Sequence, residues 1–437
     1  MGGADIRILD APKDELRAWW NLLSPTNRKL VEGHIGRLLP LLEVKVRTGL
    51  VRALAHFWCP ETSTFIFGKH ELTPTLEEYS VLIGKPLESE LVTPPLGIDS
   101  TLMLAEFLNV GKDELGKVLK ANRGTCPFSF LSQCFEKATS FQKGKIFLLA
   151  FFGFVIFPHC KNACSPSIAW LVQQVCLEKN FGNTILAETF ISLTKFKQHV
   201  DKTFHAPLEL LQIWFLSHIK GCGDLLTISE LSDSSHPILS YKEKQGNASD
   251  YHYSEWIIFM KNARPQGFHW HANWFKVEEA RLTCNGVGPV PLLGFTGAIE
   301  YYPARVSRQY QILQGLPPAL QPELLRVDFA DDDKDHEGTV AQLNKMWKKC
   351  RVLKIARPEG ELKGEQKSYF ATTQYIRRHR IPQDLLPKIP KVPLKSANRS
   401  ENNRLKRKAE EAEEKAAKIA RAYEQLKKEV ASHMSID

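Results

Sequence analysis

Asp331-Asp-Asp-Lys-Asp-His-Glu337 is a dense run of carboxylates that could hold divalent cations for phosphoryl transfer. Two-metal sites, however, draw their carboxylates from separate rigid elements, and a contiguous acidic run after Leu325-Arg-Val-Asp-Phe329 reads as a solvated loop. It also lacks the central glycine and closing glutamate of a calcium loop. His159-Cys160-Lys-Asn-Ala-Cys164 sets two thiols beside an imidazole, soft ligands suited to zinc. The nearest further pair, His269 and His271, shares a face only on a strand, so a structural turn with buried thiols is the preferred reading. Arg305 and Arg308 stand at i,i+3 after Pro303, a spacing that puts both guanidinium groups on one helix face. They suit a phosphate or carboxylate on a partner, or a structural salt bridge within the chain. Nucleophile elbow, zincin helix, Walker loop and dinucleotide fingerprint are all missing from the sequence. No catalytic residue and no cofactor are therefore expected.

Basic charge is concentrated in one place. Residues 345–408 hold nineteen Lys and Arg against five Asp and Glu, while the whole chain carries only +9. The clusters Arg377, Arg378, Arg380 and Arg404, Lys406, Arg407, Lys408 are joined by Lys388, Lys391 and Lys395, which alternate with Pro387, Pro390 and Pro393. Such a footprint suits nucleic acid, nuclear import or an acidic partner; a solvated helix face followed by a linker is the alternative. Beyond it, Leu405, Ala409, Ala412, Ala416, Ile419, Tyr423, Leu426 and Val430 alternate spacings of four and three, a heptad seam. Its alanines bury little area, leaving self-association, docking on another protein and a single solvated helix all open.

The elements that must position these residues are mostly helical. Residues 12–58 predict helices, as do Thr101–Leu108, Lys112–Lys120, Phe128–Lys137, Lys143–Phe157, Ser167–Lys179, Ile185–Val200 and Pro207–Ile219. Helical signal returns over Val277–Cys284, Pro303–Gln314 and Val340–Ala356. Tyr251–Met260 and Gly267–Phe275 suit short helix or strand. Trp256, Trp270 and Trp274 within them are core residues or, alternatively, stacking platforms for bases. Phe65-Ile-Phe67 reads as a strand broken at Gly68; Thr73 then caps a helix with Pro74 at its first position, Glu77 and Glu78 in its first turn, and Gly84 as its stop. Lys85–Ser100 is a loop. The fold class expected is mainly α, one large multi-helix globular domain over 12–381 with a few short strands or hairpins, a Pro/Lys linker at 382–404 and a coiled-coil-like helix at 405–434.

The apolar run Ile146–Phe157 is too short to span a bilayer, for which about 18 residues are needed. The first residues lack an apolar signal region, and nine cysteines without framework spacing point to a reducing compartment rather than a disulfide scaffold. A nuclear or cytoplasmic protein is expected, neither secreted nor membrane-bound.

Glu71-Leu-Thr-Pro-Thr-Leu-Glu-Glu78 with its helix to Gly84 resembles the hallmark of the plant mobile domain family and its retroelement-derived relatives. Leu186–Leu193, Leu210–His218 and Pro303-Ala-Arg-Val-Ser-Arg-Gln-Tyr310 resemble further family segments in the same order. Tyr310 replaces a common Phe, and Glu78 a common Asp. Trp20–Pro25 and Phe57–Thr62 resemble a retroelement-associated subgroup of unknown function. The resemblance implies a nuclear protein acting in transposon silencing or genome maintenance, some members having a phosphatase-like partner; the family's aminotransferase-like label finds no pyridoxal-type lysine here. The reading that follows is a non-catalytic, transposon-derived module for protein or nucleic-acid contacts. The alternatives are a metal-dependent nucleic-acid-processing enzyme using Asp331–Glu337, and a pure scaffold assembling through its last helix.

Overall fold

A computed structural model describes residues 6–68, 70–87, 91–219, 236–241, 253–263, 267–276, 278–284, 288–312, 325–330 and 335–355. The basic clusters from Arg377 onward, the linker and the heptad seam all lie outside the described residues. The fold is mainly α with short antiparallel strands.

The chain opens with α1 (Lys13–Leu22), α2 (Pro25–Ile35) and α3 (Thr48–Phe57). Ser24 caps α2 by accepting from the Asn27 amide, with Pro25 at the first helical position, as the Ser-Pro-Thr-Asn spelling predicts. Trp19 on α1 stacks on Phe128 and Phe135, with ring centroids 5.0 and 4.2 Å away. α3 runs directly into a three-stranded antiparallel sheet of β1 (Trp58–Cys59), β2 (Thr64–Phe67) and β3 (His70–Leu72). Gly68, at φ +60°, makes the turn of the β2–β3 hairpin. The expected strand and turn are thus a full hairpin ahead of the helix.

That helix, α4 (Leu76–Ile83), begins two residues later than predicted. Thr75, not Thr73, is its cap: Thr75 Oγ1 accepts from the Glu78 amide while Glu78 Oε2 accepts from the Thr75 amide, a reciprocal capping box. Thr73 is engaged elsewhere, its hydroxyl donating to the Ser63 carbonyl at 2.9 Å. Gly84 at φ +76° closes α4 as expected.

Seven helices follow within a residue or a few of their predicted spans: α5 (Ser100–Leu108), α6 (Lys112–Ala121), α7 (Phe128–Lys137), α8 (Ser140–Phe151), α9 (Ile168–Cys176), α10 (Gly182–Lys197) and α11 (Leu208–Ser217). Between them β4 (Cys126–Pro127) pairs with β5 (Ala163–Cys164). The apolar run beginning at Ile146 is buried throughout, its α8 portion passing into a wider π turn at Phe152–Ile156. α11 is buried on every face and α10 nearly so, which places them at the centre of the domain. Among the described residues no helix is long and apolar enough to cross a membrane.

Downstream the reading needs correction. Glu279–Cys284 is a strand, β6, and the predicted helix Val340–Ala356 divides into a helix, His336–Trp347, and a strand, β10 (Cys350–Lys354), paired antiparallel with β6. In β6, Ala280, Leu282 and Cys284 are buried in alternation, the period of a strand. β7 (Val290–Leu293), β8 (Gly297–Tyr301) and β9 (Val327–Asp328) form a second three-stranded sheet. Tyr253–Lys261 is helical, whereas 267–276 forms neither a regular helix nor a strand. Pro303–Tyr310 is a 3-10 helix kinked at Val306 rather than an α-helix.

Candidate functional site

Glu71 on β3, Glu77 and Glu78 on α4, and Arg305, Arg308, Gln309 and Tyr310 on the 3-10 helix are all buried and meet in one polar cluster. The Arg305 fork donates from Nε and Nη2 to the two carboxylate oxygens of Glu71, each at 2.6 Å. Thr64 Oγ1 adds a third donor to Glu71 at 3.2 Å. Arg308 Nη2 donates to the Glu71 carbonyl, and its guanidinium lies over the Trp270 ring, 3.3 Å from the centroid. A helix with three residues per turn stacks i and i+3, so both arginines reach the same short strand.

Gln309 bridges the hairpin and α4. Its amide nitrogen donates to the Thr73 carbonyl at 2.8 Å and to Glu78 Oε1 at 2.9 Å, and its oxygen accepts from the Thr73 amide. Glu78 also accepts from Trp214 Nε1 at 2.9 Å, while His218 Nε2 lies 3.3 Å from its Oε1. On the other side of α4, Glu77 accepts from the Tyr310 hydroxyl at 2.6 Å and from the Arg281 amide of β6 at 2.7 Å. A second carboxylate centre lies on α10: Glu188 accepts from the amides of Phe295 and Thr296 and from the Thr296 hydroxyl, fixing the β7–β8 turn.

Environment separates these carboxyls. Burial opposes ionisation of Glu78, but the attraction of His218 and the hydrogen bonds from His218, Gln309 and Trp214 outweigh it and hold the carboxyl below its ordinary range. Every neighbour of Glu78 just named is a donor, which leaves an added proton nowhere to point. His218 is fully buried, with Nδ1 2.7 Å from the His269 carbonyl and Nε2 3.3 Å from Glu78 Oε1. Burial dominates at Glu77, and its hydrogen bonds from Tyr310 and the Arg281 amide only partly offset it, so its carboxyl is raised. Burial likewise raises Glu188 against its bonds to Thr296 and Phe295.

Arg305 forms a salt bridge with Glu71, whereas Arg308 donates to the Glu71 backbone carbonyl, and both side chains are buried. Trp256, Trp270 and Trp274 are buried too, so they serve the core and not as stacking platforms. In the His159–Cys164 segment, Cys160 Sγ donates to the Ala163 carbonyl, and Cys164 stands opposite Cys126 in the β4–β5 pair. Among the described residues no group of three or more His, Cys, Asp or Glu side chains is arranged to hold a metal ion. Asp335 of the acidic run caps the helix His336–Trp347, accepting from the Gly338 amide; Asp331–Lys334 lie outside the described residues. An open cleft of about 370 Å³ adjoins the cluster at Tyr310, lined also by His271, Asn273, Phe275, Lys276, Gln311 and Ile355.

Sequence reasoning named Arg305 but not its partner, and missed the roles of Glu188 and Gln309. The available signal lay in the family segments: Glu71–Glu78, Leu210–His218 and Pro303–Tyr310 supply the cluster, and Leu186–Leu193 supplies Glu188, which holds Phe295 and Thr296.

A family model described as a domain of unknown function, DUF7745, matches residues 16–377, which include the whole cluster. The chain belongs to this family. It is a member of the plant mobile domain group that its motifs resemble. Protein MAIN-LIKE 2 of Arabidopsis thaliana is 24% identical to this DUF7745 chain over 328 residues, covering 68% of the chain and 47% of that protein. The chain therefore spans about half the length of this curated relative. No solved structure matches the DUF7745 chain significantly.

Proposed function

We propose that this DUF7745 protein is a non-catalytic, transposon-derived nuclear module whose helical body is a rigid platform for protein and nucleic-acid contacts. The observation that carries this reading is that the acids, bases and amides of the family segments bind one another inside the protein, as in a structural core, and present no solvent-facing constellation among the described residues. Nucleic-acid contact then falls to the basic residues Arg377–Lys408, and assembly to the seam Leu405–Val430. Roles in transposon silencing or genome maintenance, and a phosphatase-like partner, follow from the family resemblance.

The test is binding of a DNA or RNA duplex by the full chain and by residues 1–376, across a salt series. The full chain should show a log–log salt slope of roughly −4 to −7, as expected for neutralising some five to eight phosphates, and the shortened chain should bind weakly or not at all. Equal binding by both, or binding indifferent to salt, overturns the proposal.

A further inference from the structure

Cys284 closes β6 and Cys350 opens β10, and the two face each other in register, joined as a disulfide across 66 residues of sequence. The other described cysteines, Cys59, Cys126, Cys134, Cys160, Cys164 and Cys176, are free thiols. Among the described residues it is the one disulfide. Its position gives that bond a consequence. β6 is anchored to the buried cluster through the Arg281 amide on Glu77. Among the described residues β10 pairs with β6 in a two-stranded ribbon interrupted by a register shift between Arg351 and Val352. Two-stranded ribbons are marginal without support, and beyond Cys350 most of β10 is exposed. The residues that follow β10 lead to the basic segment.

We propose that Cys284–Cys350 is a redox latch that fixes β10 to β6. Cys284 is fully buried and Cys350 is 8% exposed, which makes Cys350 the more accessible of two buried residues. The thiolate of a small dithiol reductant attacks Cys350 Sγ; the S–S bond breaks, and Cys284 leaves as a thiolate that takes up a proton. The second thiol of the reductant then displaces Cys350, giving two protein thiols and an oxidised, cyclic reductant.

The full chain, purified without reductant, is alkylated with iodoacetamide and mapped by peptide mass. Its backbone amide exchange is then followed with and without dithiothreitol. Peptides containing Cys284 and Cys350 should run as one cross-linked species that separates on reduction. Amides of Arg351–Lys354 should exchange about tenfold faster or more once reduced, while those of β2 and β3 stay unchanged. Cys350→Ser should exchange at the fast rate in both buffers. Alkylation of both cysteines without reductant, or equal exchange of β10 in both states, overturns the proposal; the alkylation result on the unmodified chain decides it even if the variant does not fold.

Discussion

Arg305 and Glu71 stand 234 residues apart in sequence and form a two-pronged ion pair in the interior, with both N···O distances at 2.6 Å. An interior pair of this kind is costly to halve and cheap to replace whole, because the loss comes from the stranded charge.

Glu71→Leu and Arg305→Met should each therefore lower stability by about 3–5 kcal/mol, whereas the Glu71→Leu, Arg305→Met pair should cost much less than the sum of its parts. Urea denaturation of the four proteins checks this. Additive losses would mean that the two side chains act independently.

Acid should act through Glu78. Its carboxyl is held below its ordinary value in the folded state, so its stabilisation is present above the unfolded value of about 4.3 and is lost as pH falls through the lower, folded value. His218→Leu removes the attraction that opposes burial, so the acid transition should begin at higher pH, with a loss near neutrality of about 3–5 kcal/mol from the stranded carboxylate. Unfolding midpoints measured from pH 3 to pH 8 would show it, and an unchanged acid limb would refute the assignment.

Glu77 should have the opposite sign. Its raised carboxyl takes up a proton on folding, so the stability it gives is present below the unfolded value and is lost as pH climbs toward the folded one. Glu77→Gln keeps an oxygen for the Arg281 amide and should flatten that decline. Stability of the variant relative to the parent should rise with pH across the window, read from the same pH series.

Two glycines should respond in opposite directions. A Cβ on Gly294 would lie 2.3 Å from Glu188 Oε1, inside the carboxylate that ties down the β7–β8 turn, so Gly294→Ala should cost at least about 1–3 kcal/mol. Gly33, within α2, has nothing within 4 Å of an added Cβ, and Gly33→Ala should stabilise by about 0.5–1 kcal/mol. Thermal melts of the two variants would separate them.

The helices were legible where periodicity was long and unbroken, as in α5 to α11, because burial of one face repeats at the helical period whatever the tertiary context. β6 was not. Val277, Ala280 and Cys284 fit a helix as well as Ala280, Leu282 and Cys284 fit a strand, and the choice is made by β10, more than sixty residues away. β10 itself was hidden because no glycine or proline marks the end of the helix at Trp347. At the α4 cap both Thr73 and Thr75 were chemically suitable; Glu78 three residues beyond Thr75 was the better signal. Arg305 stood out by type and spacing, but its partner depends on a chain path that local pattern does not encode. The cluster is thus visible in sequence as parts and in structure as a connection.

The separation of Glu71 from Arg305 also bears on how the protein is made. At about 5–20 residues per second, a ribosome takes roughly 12–47 seconds to reach Arg305 after placing Glu71. During that interval the hairpin and α4 lack the cation and amide of Arg305 and Gln309, so the buried cluster can be completed only after the Pro303–Tyr310 segment has been made.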